Sequence, residues 1–316
     1  MSNDIEIRPF QQVDAIAVEQ ILQQLWGHDP THLSLYRQHR DWQADPSSAG
    51  LARHTLVAVE GSTVVGAGTL FESTLHPRMH LLVINVAQEW QRRGIGTKLY
   101  DALYLLSSDR QWCAKMTQCD PAGMSFLAKR GWYGLVGTLT GLLDPQAEAV
   151  AKWMRSLPAS IEGCCIVTFS EPDCPATLDE MASIHVHLYT EAHYWNPPSQ
   201  ALASSAQTIF CDGAIKGSEL LAYAGGDLVG AANLITSPFD PASGEAYMVW
   251  LGVLERELHR NPDLPAALIR RMLEFAARRN LRVRFEVDST RHPEREILQS
   301  SPAIELDNDS LFMVSK

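Results

Sequence analysis

The chain has 316 residues, a hydrophobic share of 46% and a formal net charge of −11 at pH 7. That length exceeds one ordinary domain and points to two of about 150 residues each, with enough apolar content for a core in both. The acidic balance argues against nucleic-acid binding, since phosphate contacts need a basic surface, and no apolar run reaches the roughly 18 residues that span a membrane.

The N-terminal stretch MSNDIEIRPF carries no signal-like apolar run, so a soluble, cytoplasmic protein is expected. Cys113, Cys119, Cys164, Cys165, Cys174 and Cys211 show no Cys-x-x-Cys spacing, which argues for reduced thiols rather than a disulfide framework or a zinc ribbon. Charge is unevenly spread. Up to residue 157 there are 14 Lys/Arg against 15 Asp/Glu, and from 158 onward 12 against 22. An acidic second half is ordinary for solubility, and it also suits a small cationic partner.

In chain order, Ile5 to Pro9 alternates as a strand, and Val13, Ile16, Ala17, Ile21, Leu22 and Leu25 form a helical stripe. Gly27 and Pro30 break it, and a second helix is expected over Ser34 to Trp42. His54 to Glu60 and Thr63 to Phe71 read as a hairpin about Gly61-Ser62, and His80 to Val86 as the next strand. Gly66 and Gly68 inside a strand suggest a bulge or a close backbone approach. Cys113 to Cys119 reads as a strand, Pro121 to Arg130 as a helix, and Trp132 to Leu143 as a long strand.

The informative stretch is Leu81 to Leu106, LLVINVAQEWQRRGIGTKLYDALYLL. A buried strand is followed by Gln91-Arg92-Arg93-Gly94-Ile95-Gly96-Thr97, after which Ile95, Leu99, Ala102, Leu103 and Leu106 repeat at helical spacing. The first turn of a helix leaves backbone N–H groups without internal partners, and the helix dipole adds partial positive charge there. Glycines let an anion approach the backbone, and Arg92 and Arg93 add full charge. A dinucleotide fingerprint would need glycine where Leu99 stands, and no Gly-Lys-Ser/Thr P-loop occurs.

This loop, with its strand before and helix after, resembles the Gln/Arg-x-x-Gly-x-Gly/Ala pyrophosphate loop of the GNAT-type N-acetyltransferases. Asp120 to Trp132, DPAGMSFLAKRGW, is similar to the family's fourth helix, which commonly begins with Asn and ends in a Phe-Tyr-Glu-Lys-x-Gly-Phe type sequence. Phe126, Lys129, Gly131 and Trp132 fit that ending. Asp120 replaces the Asn and can still cap a helix, whereas Leu127 replaces the Tyr that often protonates the departing thiolate and has no proton to give.

The resemblance implies an α/β fold, a mixed, mostly antiparallel twisted sheet flanked by helices, acetyl-CoA as cofactor and a small-molecule amine as acceptor. It implies that the backbone of Ile84, Asn85 and Val86 pairs with the pantetheine arm. It gives the loop from Gln91 to Thr97 to the diphosphate, and Asp120, Phe126 and Lys129 to the remainder of the cofactor site. Trp26, His28, Asp29 and Tyr36 become candidate acceptor contacts. A base must deprotonate an ammonium with an unperturbed pKa of about 10.4 if lysine-like; Glu72, His80 or a water chain are the candidates. Tyr100, Tyr104, Tyr133 and Cys119 are possible acids in place of Leu127.

The family's element order is complete by about Leu143, and residues 146–162 read as a linker between a domain over 1–145 and another over 163–316. Val57 to Ala67, VAVEGSTVVGA, matches Leu221 to Ala231, LAYAGGDLVGA, without a gap. Strands over Cys165–Phe169, Glu245–Val253 and Arg282–Val287, with helices over Thr177–Tyr189 and Ala266–Arg279, complete a second copy of the plan. Its loop is degenerate: His259-Arg260-Asn261-Pro262-Asp263-Leu264-Pro265 offers a proline and a carboxylate where the first copy offers glycines and arginines. His185, His187 and His193 are spaced poorly for one metal ion, so no metal is expected. The neighbouring Tyr189, Tyr194 and Trp195 are expected to wall an aromatic pocket or to pack an interface. A non-catalytic acyl-CoA-binding or regulatory module is the alternative to an enzyme, transfer to a protein N-terminus is a third, and monomer and homodimer both stay open.

Overall fold

The computed structural model describes residues 4–27, 53–107, 110–117, 120–236 and 243–315. Its contacts divide into two compact units. Unit 1 comprises Met1–Ala114, Leu127–Tyr133 and Met313–Lys316, and unit 2 comprises Lys115–Phe126 and Gly134–Phe312.

Unit 1 is built on strands β1 (Ile5–Pro9), β2 (Arg53–Glu60), β3 (Thr63–Glu72), β4 (His80–Val86) and the first half of β5 (Trp112–Thr117), side by side in that order. All neighbours are antiparallel except β4 and β5, which run parallel. Helix α1 (Ala15–Trp26) buries Val18 and Leu22 against Val57, Ala67, Phe71 and Val83 on one face of the sheet. On the other face lies α2 (Ile95–Leu106), burying Ile95, Leu99 and Leu103. The two suspected glycines are both explained. The β2 register slips one residue opposite Val65, between the pairs Ala58↔Gly66 and Val59↔Val64, which is a bulge. At Gly68 an added Cβ would lie 3.1 Å from Leu103 and 3.6 Å from Leu99, so the absent side chain is what lets α2 settle onto the strand. Ser315 joins this unit too: its hydroxyl accepts from the Trp112 N–H at 2.8 Å, and its own N–H donates to the Trp112 carbonyl at 2.9 Å.

Helix α3 (Pro121–Ala128) begins in unit 2 and ends in unit 1. Unit 2 contains β6 (Tyr133–Leu143), α4 (Glu148–Ser156), β7 (Cys164–Thr168), α5 (Leu178–Ala192), α6 (Ala201–Ala206), β8 (Leu220–Ala224) and β9 (Asp227–Thr236). After them come β10 (Glu245–Val253), α7 (Glu255–Leu258), α8 (Leu264–Arg278), β11 (Arg282–Asp288), α9 (His292–Gln299) and β12 (Ile304–Val314). Its strands are ordered β12-β6-β11-β10-β9-β8-β7. The units are therefore not continuous stretches of chain: β6, last in the first copy of the plan, pairs antiparallel with β11 from Leu143↔Val283 to Thr138↔Asp288. Helix α8 buries Leu268, Ile269, Met272 and Leu273 in the larger core, and α5 buries Met181, Ile184 and Leu188 over Leu221 and Ala231.

The repeat seen in sequence is physical. β8 and β9 slip register between Ala222↔Gly230 and Tyr223↔Leu228, which places a bulge at Val229, the residue that the ungapped match sets opposite Val65. The second helix expected over residues 34–42 lies outside the described residues.

Candidate active site

β4 and β5 are parallel neighbours over only two pairs, His80↔Trp112 and Leu81↔Cys113. From Leu82 to Val86 the strand runs on while its ladder to β5 has ended among the described residues, and β3 supports it from the other side, from Glu72↔His80 to Gly66↔Val86. Beyond Val86 comes a single turn of 3-10 helix at Gln88–Trp90, then the loop, then α2.

The loop geometry follows from its residues. Gly94 is the N-cap of α2 in the left-handed region, φ 80° and ψ 2°, a conformation that glycine adopts at little cost. Arg92 is also left-handed, φ 63°, which costs a non-glycine residue of order 1–3 kcal/mol. The first helical bond of α2 runs from the Lys98 N–H to the Gly94 carbonyl at 3.0 Å, so the N–H groups of Ile95, Gly96 and Thr97 have no intrahelical acceptor. An added Cβ on Gly94 would meet no atom of the described residues within 4 Å, so among them open space lies over the cap. Arg92, Arg93, Gly94 and Thr97 are exposed, whereas Ile95 is buried and anchors the helix start. Gln91 donates its side-chain amide to the Val86 carbonyl at 3.1 Å, and the Arg93 guanidinium lies 4.5 Å over the Trp90 ring.

One cation here has no signal in the loop sequence itself. Arg130, just after α3, donates to the Thr97 hydroxyl at 2.8 Å and stacks 5.0 Å from the Tyr100 ring, whose hydroxyl in turn accepts from the Trp132 indole at 3.0 Å. It brings a third positive charge to the first turn of α2.

The sheet face beneath α1 holds Asn85. Its side-chain oxygen accepts from the Trp26 indole at 2.9 Å, and it is 4% exposed, with an amide nitrogen that is buried and has no acceptor among the described residues. Trp26 is thus placed beside β4, while His28, Asp29 and Tyr36 lie outside the described residues. A cleft of about 810 Å³ also opens on this side of unit 1, lined among others by Asp14, Ile21, Gln24, Val64 and Trp90. Asp14 is tied to Arg8 by paired bonds of 2.7 and 2.8 Å, and that contact holds its carboxyl below the usual range.

Glu72 and His80 sit together at the end of β4 where it still pairs with β5. His80 Nε2 is 3.3 Å from Glu72, its Nδ1 is 2.9 Å from the Ser107 hydroxyl, and Arg110 bonds the same Glu72 oxygen. His80 is 3% exposed and shares the α2 side of the strand with Leu82 and Ile84, opposite the face of Asn85 and Trp26. A serine, a histidine and a carboxylate in one row resemble a nucleophile triad in composition only. Ser107 is buried at the C-terminal end of α2, where the helix dipole disfavours negative charge.

Around α3, Asp120 accepts from the Gly123 N–H at 2.8 Å and so caps the helix start. Asp120 and Phe126 belong to unit 2 and the exposed Lys129 to unit 1. Leu127 is 3% exposed, a core residue. Of the substitute acids, Tyr104 and Tyr133 are exposed, Tyr100 bonds Trp132, and Cys119 lies outside the described residues.

In the second copy β10 and β11 pair in parallel over three residues, Glu245↔Arg282 to Tyr247↔Arg284. Where the first copy has open backbone, the second is filled. Arg291 donates to the Val253 carbonyl at 2.9 Å and to Glu294 at 2.6 Å, and a Cβ on Gly252 would lie 2.4 Å from the same guanidinium. No glycine opens α8; Asp263 is its N-cap and Pro265 stands in its first turn. His185 is buried and His187 exposed on opposite sides of α5, and among the described residues no group of His, Cys, Asp and Glu is disposed to hold a metal. Nor is any helix among them long and apolar enough to cross a membrane.

Residues 15–132 match the model of the acetyltransferase (GNAT) family. Among solved structures, a GCN5-related N-acetyltransferase from Sphaerobacter thermophilus is 15% identical, with 98% of this chain and 95% of that one covered and a TM-score of 0.61. A tandem GNAT protein from the clavulanic acid biosynthesis pathway is 19% identical over 99% and 98% of the two chains, also at 0.61. A GCN5-related N-acetyltransferase from Kribbella flavida is 15% identical over 98% and 71%, at 0.53. No curated protein matches in sequence. Identities this low speak for the fold alone. Residues 15–132 thus match the acetyltransferase (GNAT) family, and over nearly its whole length the chain shares the fold of a tandem GNAT protein.

Proposed function

We propose that the chain transfers an acetyl group from acetyl-CoA to a primary amine of a small, cationic acceptor, with the cofactor held by unit 1. The observation that carries this reading is the left-handed Gly94 opening α2 under open space, with three backbone donors behind it. Those donors, together with Arg92, Arg93 and Arg130, fit a diphosphate by charge and geometry. The unladdered edge of β4 at Ile84, Asn85 and Val86 fits an extended amide-bearing arm, which would complete the strand as a neighbour does.

When bound, the cofactor supplies a thioester carbonyl already activated toward amines. The chain fixes that arm along β4 and holds its charged end at the first turn of α2. Proton removal from the acceptor falls to Glu72, His80 or water; Glu72 Oε1 is shared by Arg110 and His80, and His80 also meets the Ser107 hydroxyl. An acidic chain raises the local concentration of a cationic acceptor.

Isothermal titration with acetyl-CoA is expected to show one site per chain, and the absence of any binding overturns the proposal. Leu127 favours a second reading, a module that binds acyl-CoA without turnover, since no side-chain proton donor stands at that position. Release of free thiol in the presence of an amine acceptor decides between the two.

A further inference from the structure

The cleft of about 810 Å³ beside α1, within unit 1, has no part in the acetyl-transfer reading: none of the residues given to the cofactor lines it, and neither does Trp26. Its volume falls within the roughly 300–1,000 Å³ usual for small-molecule sites. One wall is the α1 stripe of Ala17, Gln20, Ile21 and Gln24, whose helical spacing puts them on one side of the helix. The β2–β3 turn contributes Ser62, Thr63 and Val64, and the 3-10 turn after β4 contributes Ala87, Glu89 and Trp90.

These walls join apolar patches to polar groups. Ile21 and Ala87 are buried, and Ala17, Val64 and Trp90 are half-buried. Val13 lines the cleft too and is 78% exposed, which leaves apolar surface for a ligand to cover. Gln20, Gln24, Ser62, Thr63 and Glu89 are exposed, and their side chains hold no hydrogen bond or ion pair with any described residue. All of these but Glu89 can both donate and accept.

Charge in the cleft nearly cancels. Arg8 and Asp14, both lining residues, neutralise one another through the paired bonds of 2.7 and 2.8 Å. Glu89 is the remaining charged group of the lining, and the Arg93 guanidinium, 4.5 Å over the Trp90 ring, stands close enough to offset it. An anion would meet Glu89 and a cation would meet Arg93, so the setting favours a neutral ligand.

We propose that unit 1 binds a neutral, polyhydroxylated ring, a pyranose sugar, in this cleft, with a C–H face on Trp90 and its hydroxyls on Gln20, Gln24, Thr63 and Glu89. A hydroxyl both donates and accepts, as the amides and hydroxyls of the lining do, whereas an ammonium only donates and a carboxylate only accepts. An indole beside aliphatic side chains offers the flat apolar surface that the C–H face of a saturated ring covers. The site stands whether or not unit 1 transfers acetyl groups.

The test uses the full chain and ligand-observed saturation-transfer NMR with the methyl pyranosides of glucose, galactose and mannose. Two controls accompany them: cyclohexylmethanol, which keeps a saturated ring and a single hydroxyl, and the uronate of the sugar that binds best, which adds a negative charge. At least one methyl pyranoside is expected to bind saturably, with affinity at least about fivefold above both controls. Saturation should be uneven between the two C–H faces of that sugar, since one of them lies on Trp90. W90A is expected to lose at least about tenfold in affinity, and Q20A/Q24A, at exposed helical positions that accept alanine readily, several-fold. Melting temperature reports whether each variant is folded, and should W90A not fold, Q20A/Q24A decides. No saturable binding of any of the three sugars, control affinities equal to that of the best sugar, or unchanged sugar affinity in the folded variants overturns the proposal.

Discussion

Replacing Gly94 by valine separates the strain of the loop from its role toward an anion. At φ 80° a β-branched residue leaves its preferred region at a cost of about 1–2 kcal/mol. Among the described residues no neighbour lies within 4 Å of the added Cβ, so none of them adds a packing penalty to that strain. For a unit of this size the strain corresponds to a fall in melting temperature of about 2–8 °C. If a diphosphate sits over the cap, the side chain enters its space and forfeits one or two charge-assisted bonds, about 1.5–3 kcal/mol each. Acetyl-CoA affinity should then drop by about tenfold or more. Gly61 supplies the matched control. It too is left-handed, φ 60°, with nothing within 4 Å, and it lies in the β2–β3 turn. G61V should lower the melting temperature to a similar extent and leave cofactor affinity unaltered. Isothermal titration and thermal melts of both variants test this, and equal affinity in G94V and the unaltered chain would refute it.

Four further outcomes follow from the contacts in unit 1 and at its edges. R130A removes the guanidinium from Thr97, and acetyl-CoA affinity should fall several-fold with a shallower salt dependence, measured by titration at two ionic strengths. W26F leaves the Asn85 oxygen without its indole partner and should cost about 1–3 kcal/mol in urea unfolding, whereas W26F combined with N85L should recover part of that loss. Asp14 has a folded pKa below its ordinary 3.8, so its contribution is present above that value and is lost as pH falls through the lower, folded one. Denaturation midpoints between about pH 2 and 6 should show this slope in the unaltered chain and not in D14N. Burial pushes the Cys113 thiol up to about 12, so a thiol reagent at pH 8 should label the exposed Cys165 and spare Cys113 in the folded chain.

Much of the fold was legible because local patterns and tertiary structure agree. Leu82, Ile84 and Val86 alternate toward α2, and Ile95, Leu99 and Leu103 return at helical spacing to meet them, so strand, loop and helix were readable from residues 80–106. The repeated bulge was readable because Gly66 and Gly230 stand at the same offset in both copies. Helix α9 was missed although His292 and Pro293 mark its start, since eight residues with little apolar content leave a weak periodicity. β12 was missed because IELDNDSLFMV breaks its alternation with four consecutive polar residues, Asp307 to Ser310. Pairing of β6 with β11 spans about 150 residues, and no local pattern encodes such a partner. Within the site, the backbone contributors could be named from the loop, but Arg130 on Thr97 and Trp26 on Asn85 are side-chain meetings across 33 and 59 residues, fixed only by packing.

The bonds between Trp112 and Ser315 have a bearing on how the molecule is made. Two partners 203 positions apart close one edge of unit 1, so during synthesis that edge stays unpaired until Ser315 has left the ribosome. An exposed strand edge invites pairing with other nascent chains. Refolding from denaturant should accordingly show a slow, concentration-sensitive phase, and S315P, which deletes the N–H that reaches Trp112, should lengthen it.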